Sequence, residues 1–452
     1  MFQRTDCEGF HRRDFLQIGS AGMLGLSLPA VLASEAKAAK ESLGEKKGAK
    51  AKSVILVWLS GGPATIDMWD NKPEAPEGIR GEFKNIDTKV SGIQFAETLP
   101  KMAAIADKVS VVRSLYHTIP SHGPATVFMT TGNKPTAALQ YPAMGSLGAK
   151  MLSTPSGIPP YVSFTDLRNG SAGGAGYLGT SYSPFFVEGA GARVKGEAKD
   201  PKEAGAAFRL RGITLPDGFS FDELGRRDDL LKSFDDKFRT IDKNNELVDG
   251  LDTFHKQALD ILRSDKVKKA FTLNAESTAT RAMYGTNALA APALAARRLV
   301  EAGVRFVTIG TGGWDTHSKT FESHKTKLVP TIDETLSALI ADLDQRGMLD
   351  STIVMCAGEF GRTPKINKNG GRDHWARSMA CVLAGGGLKR GYAHGTTDAS
   401  GMAPATDPVT PDDIGATIFG QLGIPHTTEM QTATGRPIQL FREGKVIDKM
   451  IA

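Results

Sequence analysis

Cysteine is scarce in this chain, with three in 452 residues, one of them (Cys7) close to the amino terminus. The other two, Cys356 and Cys381, fall in apolar runs that read as buried strands. Two such thiols read as inert core residues and cannot build a disulfide framework, so packing alone must hold the core. Long hydrophobic stretches are also missing. Beyond residue 33 no run approaches the roughly 20 apolar residues of a spanning helix, which excludes a stable transmembrane anchor there. No basic stripe with interleaved aromatics occurs, and several of the lysines behind the formal net charge of +5 sit in one short segment. That distribution argues against nucleic acid as a partner. No internal repeat is visible, which argues against a repeat array. What remains, 40% apolar and 23% charged residues, is the composition of a soluble globular protein. The length suits one large α/β domain or two ordinary ones.

The amino terminus reads as a leader. Arg12 and Arg13 stand ahead of Phe15-Leu16, and a Gly- and Ala-rich, moderately apolar stretch runs from Ile18 to Ala33. Paired arginines before a short apolar region and small residues predict a twin-arginine signal peptide over 1–33. Cleavage after Val31-Leu32-Ala33 or after Ala36-Lys37-Ala38 fits equally. The expected partner is the twin-arginine translocase, and the expected location periplasmic or extracellular. Residues 34–52 are rich in Lys, Ala and Glu with no apolar period, and read as a solvated tether.

From Ser53 onward the pattern is α/β. Continuous apolar runs at 53–60, 109–112, 161–164, 304–309, 352–356 and 379–383 read as strands buried on both faces. Helical patterns separate them, at 121–131, 286–302, 325–346 and 412–422, the last opened by Thr410 as N-cap and Pro411 at the first helical position. This alternation predicts a right-handed βαβ series and a mainly parallel sheet over 53–452. Between about 169 and 287 a Gly-rich stretch and charged helical segments near 221–245 and 249–265 interrupt it, and read as an insertion over one end of the sheet.

Ligands of open α/β sheets bind beyond the carboxyl ends of the strands. There the sequence collects acids and histidines in Gly-rich turns: Asp67 after the first strand, Asp315 and His317 in Gly-Gly-Trp-Asp-Thr-His, Glu359 and Arg362 in Gly-Glu-Phe-Gly-Arg, and Asp373-His374 soon after. Each has an ordinary alternative: a turn with a surface histidine, a helix-capping aspartate, or a Glu359–Arg362 pair. Together they predict a shared metal site. Mixed Asp, Glu and His donors suit Zn²⁺ or Mn²⁺ better than Ca²⁺, which remains a possible occupant. One or two ions are expected.

The set WLSGGPATID, SHGPATVFMTTGNKP, GGWDTHS, DSTIVMCAGEFGRTPKIN and GRDHW resembles the DUF1501 family, placed with the alkaline phosphatase/sulfatase superfamily. The resemblance covers nearly all of the chain after the leader. It implies a doubly wound sheet of the alkaline phosphatase type, a one- or two-metal centre, and hydrolysis of phosphate or sulfate esters. It implies the first metal-binding aspartate at Asp67 and ligands at Asp315 and His317. Phe360 stands where the superfamily often has a histidine after an acid, with His374 as the replacement imidazole beside Asp373. His122 occupies the nucleophile position at the start of a helix ending Thr131-Gly132, where direct attack, metal ligation and general-acid action are all open to it, with Ser121 as the alternative nucleophile and His117 a further candidate. Arg362, and after it Arg372, are expected to hold the tetrahedral anion.

The expected function is an exported metal-dependent hydrolase acting on small-molecule or polysaccharide esters. The alternative is an exported binding protein that keeps the fold and metal site without turnover. A phosphoryl-transferring mutase is a third class, and export argues against it because its substrates are cytoplasmic.

Overall fold

The computed structural model describes residues 49–167, 173–188, 209–210, 264–432 and 434–452. The leader, most of the tether and most of the 169–287 insertion, including the helical segments near 221–245 and 249–265, lie outside the described residues.

Nine strands form one sheet: β1 (Ser53–Leu59), β2 (Val109–Leu115), β3 (Tyr161–Ser163), β4 (Phe185–Glu188), β5 (Arg209–Leu210), β6 (Phe306–Thr311), β7 (Thr352–Ala357), β8 (Met379–Ala384) and β9 (Tyr392–His394). Their spatial order is β9-β2-β8-β7-β1-β6-β3-β4-β5. β1 pairs in parallel with both β6 and β7, whereas β8 and β5 run antiparallel to their neighbours. The chain leaves β1 for one side of the sheet and returns to the other, so a crevice opens at the carboxyl ends of β1, β6 and β7.

The unbroken apolar run of β1 has a direct cause. Ile55, Val57 and Leu59 enter one core and Val54, Leu56 and Trp58 the other. Side chains alternate across a strand, so a sheet covered on both faces needs apolar residues at every position. The second core holds α1 (His122–Thr131), α2 (Met144–Met151) and α5 (Pro411–Gln421); the first holds α3 (Ala290–Ala302) and α4 (Val329–Gln345). α5 starts as its sequence dictates, with Pro411 in the first turn and the Asp413 carboxylate accepting the Thr410 N–H at 2.9 Å.

Two boundaries differ from expectation. Lys50 and Ala51, assigned to the tether, donate backbone hydrogen bonds to Gln421 O, and Lys52 to Ser351 O, so ordered structure begins before β1. The tail of the expected insertion, from Asp265, is helical and packs on α3 through Val267 and Ala270. Arg297 of α3 fixes it there, with its fully buried guanidinium 2.8 Å from both Glu276 and Asp342. Cys356 and Cys381 are both buried free thiols, on opposite faces of the sheet, which matches the expectation of inert core residues. Among the described residues no helix is long and apolar enough to cross a membrane.

Candidate metal centre

Three loops from the carboxyl ends of β1, β6 and β7 interlock at the crevice. β1 runs into Gly61, whose φ of +121° is a backbone state that side chains rarely adopt; a Cβ there would lie 2.4 Å from the Asp315 N–H nitrogen. The glycine lets the β1 and β6 loops touch and sets Asp315 at the mouth. After β7, a two-residue antiparallel ladder of Gly361–Arg362 with His374–Trp375 brings His374 back over the same point. His122 arrives from the first turn of α1.

The side chains meet through their Nε2 atoms. His122 Nε2 lies 3.3 Å from Asp315 Oδ2, and His374 Nε2 3.2 Å from Asp315 Oδ1. His317 Nε2 is 3.0 Å from His374 Nε2 and 3.1 Å from Asp315 Oδ1. On the far side of each ring, Nδ1 faces an oxygen that can only accept. The partners are Glu359 Oε1 for His122 at 2.6 Å, Asp373 Oδ1 for His317 at 2.7 Å, and the Pro120 carbonyl for His374 at 2.9 Å. Each Nδ1 therefore carries hydrogen, and in the neutral ring each Nε2 presents a lone pair. Three lone pairs and a carboxylate facing one another repel unless positive charge lies between them.

A divalent cation fits that demand. The candidate donors of His122, Asp315 and His374 all lie within 4.8 Å of one another. An ion held tetrahedrally at about 2.0–2.1 Å separates its donors by about 3.3 Å, close to the spacings above. Imidazoles backed by carboxylates or carbonyls are also the usual outer arrangement of metal-bound histidines. Asp315 is suited to stay ionised: partial burial raises its pKa, but the hydrogen bond from Arg362 and the nearby positive charge outweigh that and hold it well below the usual carboxylate range.

The structure redistributes the roles expected from sequence. Asp67 is not among these donors. It is fully buried and gives both carboxylate oxygens to Arg372, at 2.7 and 2.8 Å. This pair ties the β1 loop to the 363–373 loop, and leaves neither Asp67 for an ion nor Arg372 for an anion. Arg362 is equally engaged: its buried guanidinium donates to the carbonyls of Gly61, Gly62, Trp314 and Arg372 and, at 2.6 Å, to Asp315 Oδ1. It positions the loops and does not reach out to bind substrate. Glu359 and Asp373 stand behind His122 and His317 as hydrogen-bond acceptors. Of the roles open to His122, attack, ligation or general acid, its position among the candidate ligands suits ligation. Ser121 caps α1 without a side-chain hydrogen bond to the helix, and is exposed next to the centre. His117 is buried and spent structurally, accepting from Ile119 N–H and donating to the Glu359 carbonyl.

Two further side chains support the centre, and sequence reasoning missed the first of them. Asn367 donates to Asp373 Oδ1 and to the His317 carbonyl, fixing the His317–Asp373 pair. Phe360, buried against the rings of both His122 and His374, with centroids 5.0 and 4.5 Å away, forms an apolar wall beside the imidazoles. Neither residue type advertises such a role in sequence. Behind the Asp315 loop, His324 is fully buried in a π-helical turn (His324–Leu328), edge-on to Trp314, with no hydrogen-bond partner for either ring nitrogen. Burial, and then the charges of Arg372 and Arg362, push its pKa down to about 3.

A family model described as "Protein of unknown function (DUF1501)" matches residues 51–451. No curated protein matches the chain. Among solved structures it is similar to the lipoteichoic acid synthase LtaP from Listeria monocytogenes (10% identity, covering 89% of this chain and 80% of that one, TM-score 0.35). It is similar also to the PsFucS1 sulfatase from Pseudoalteromonas sp. (12% identity, 86% and 72%, TM-score 0.36). A third is the alkaline phosphatase of the Antarctic bacterium TAB5 (13% identity, 78% and 96%, TM-score 0.31).

Proposed function

The chain belongs to the DUF1501 family, and on that premise we propose that it is an exported metal-dependent hydrolase of phosphate or sulfate esters. The observation that carries the reading is the convergence of three Nε2 lone pairs on the Asp315 carboxylate. His122, Asp315 and His374 hold the ion, with His317 beside them, and Zn²⁺ or Mn²⁺ suits this imidazole-rich set. A bound ion there supplies Lewis-acid polarisation of an ester oxygen and lowers the pKa of an attacking hydroxyl or water. The chain's own residues do the rest. Phe360 excludes water from one side, Arg362 and Gly61 fix Asp315, and the exposed Ser121 hydroxyl at the start of α1 stands as the nucleophile. Export by the twin-arginine translocase rests on Arg12-Arg13 and the apolar stretch after them.

The test is turnover of p-nitrophenyl phosphate and p-nitrophenyl sulfate with added Zn²⁺ or Mn²⁺. We expect metal-dependent release of p-nitrophenol that Ser121→Ala abolishes while metal content is unchanged. Turnover independent of metal, or a fully active Ser121→Ala, would overturn the assignment. One observation favours a second reading, a binding protein that keeps the ion without turnover: both arginines expected to hold the anion are locked in buried hydrogen bonds. Metal uptake without hydrolysis of either ester would select it.

A further inference from the structure

Charge at the centre constrains how many ions it can take. Arg362 is fully buried, and its Nη2 lies 2.6 Å from Asp315 Oδ1, the oxygen that also faces His374 and His317. The carboxylates of Asp315, Glu359 and Asp373 all act on this one guanidinium. The other buried acid of the loops, Asp67, is neutralised by Arg372. Three carboxylates against one guanidinium leave two negative charges, and the three imidazoles add none when neutral.

Resting on the metal-centre reading above, we propose that this site binds a single divalent cation, and that the Arg362 guanidinium stands where a second cation would otherwise sit. One divalent ion brings the cluster to neutrality; two would leave an uncompensated double positive charge beside the buried guanidinium. Position argues the same way. Paired catalytic ions sit about 3.5–4 Å apart and share a bridging ligand. The natural bridge here is Asp315, yet Oδ1 already accepts from Arg362 at hydrogen-bond distance, so a second ion on it would press against a fixed cation. Of the further acids that a second ion would need, Asp67 is engaged with Arg372, and Glu359 holds His122 and the Gly61 N–H through Oε1, at 2.6 and 2.9 Å, leaving its buried Oε2 without a partner. Arg362 in turn is held by backbone carbonyls of three loops and cannot swing aside without breaking them.

The test is the metal stoichiometry of the purified full chain, incubated with excess Mn²⁺, freed of unbound ion by gel filtration and assayed by plasma mass spectrometry. Electron paramagnetic resonance is recorded on the same sample. We expect one Mn²⁺ per chain and the spectrum of an isolated ion. Two ions per chain with a spin-coupled signal overturn the single-ion inference and leave the metal centre standing. No bound ion overturns the metal centre, and this inference with it. Arg362→Gln, which removes the charge while keeping a donor, is expected to take up a second equivalent. A folded Arg362→Gln that still binds one removes the guanidinium from the explanation. Should that variant fail to fold, the wild-type stoichiometry decides alone.

Discussion

Each imidazole of the centre is useful only while its Nδ1 keeps its hydrogen, because that leaves Nε2 free to donate electrons. Glu359 enforces this for His122, Asp373 for His317 and the Pro120 carbonyl for His374. Loss of such an outer partner typically weakens metal binding about 10–100-fold. Glu359→Gln should therefore lower Zn²⁺ affinity by a factor in that range, measured by competition with a chromophoric chelator; unchanged affinity would detach Glu359 from the centre. Asp67→Ala should behave in the opposite manner. Breaking its buried pair with Arg372 costs about 3–5 kcal/mol, read as a lowered urea midpoint, while metal affinity in the folded protein stays near wild type. A large loss of affinity there would restore Asp67 as a ligand.

At the scale of elements, the loops hold the site by close approach. Gly61→Ala would drive a Cβ toward the Asp315 backbone nitrogen, 2.4 Å away, at a φ unfavourable to alanine. We expect both lower stability and weaker metal binding, since Asp315 must shift; a variant with wild-type melting temperature and affinity would contradict this. Elements were also what the sequence disclosed best. The runs read as strands at 53–60, 352–356 and 379–383 fold as strands at 53–59, 352–357 and 379–384 because both their faces are buried, and Thr410-Pro411 announced a helix through capping chemistry. Strand direction was not legible, since β8 looks like its parallel neighbours in composition yet runs against them. The residues around the centre were legible as a group, but their roles were not. Nothing near Asp67 in sequence reveals that an arginine some 300 positions later neutralises it. Nor does anything near His122 reveal that Glu359 directs its ring. Those facts belong to loop packing, which spacing does not encode.

For the whole molecule, His324 links stability to pH. Its folded-state pKa, about 3, lies below the ordinary value of 6.5. The unfolded chain therefore binds a proton that the folded protein refuses between those values, and stability falls as pH drops through that window. The slope from this one group is about 1.4 kcal/mol per pH unit. His324→Phe should flatten acid unfolding between pH 6 and pH 4, followed by urea midpoints; an unchanged pH slope would place the acid sensitivity elsewhere.

The most direct measurement is anomalous X-ray diffraction from a crystal of the protein loaded with Zn²⁺, recorded on both sides of the zinc absorption edge. The account predicts one peak among His122 Nε2, the Asp315 carboxylate and His374 Nε2, within reach of His317. A peak bound by Asp67, or none at the crevice of β1, β6 and β7, would contradict it.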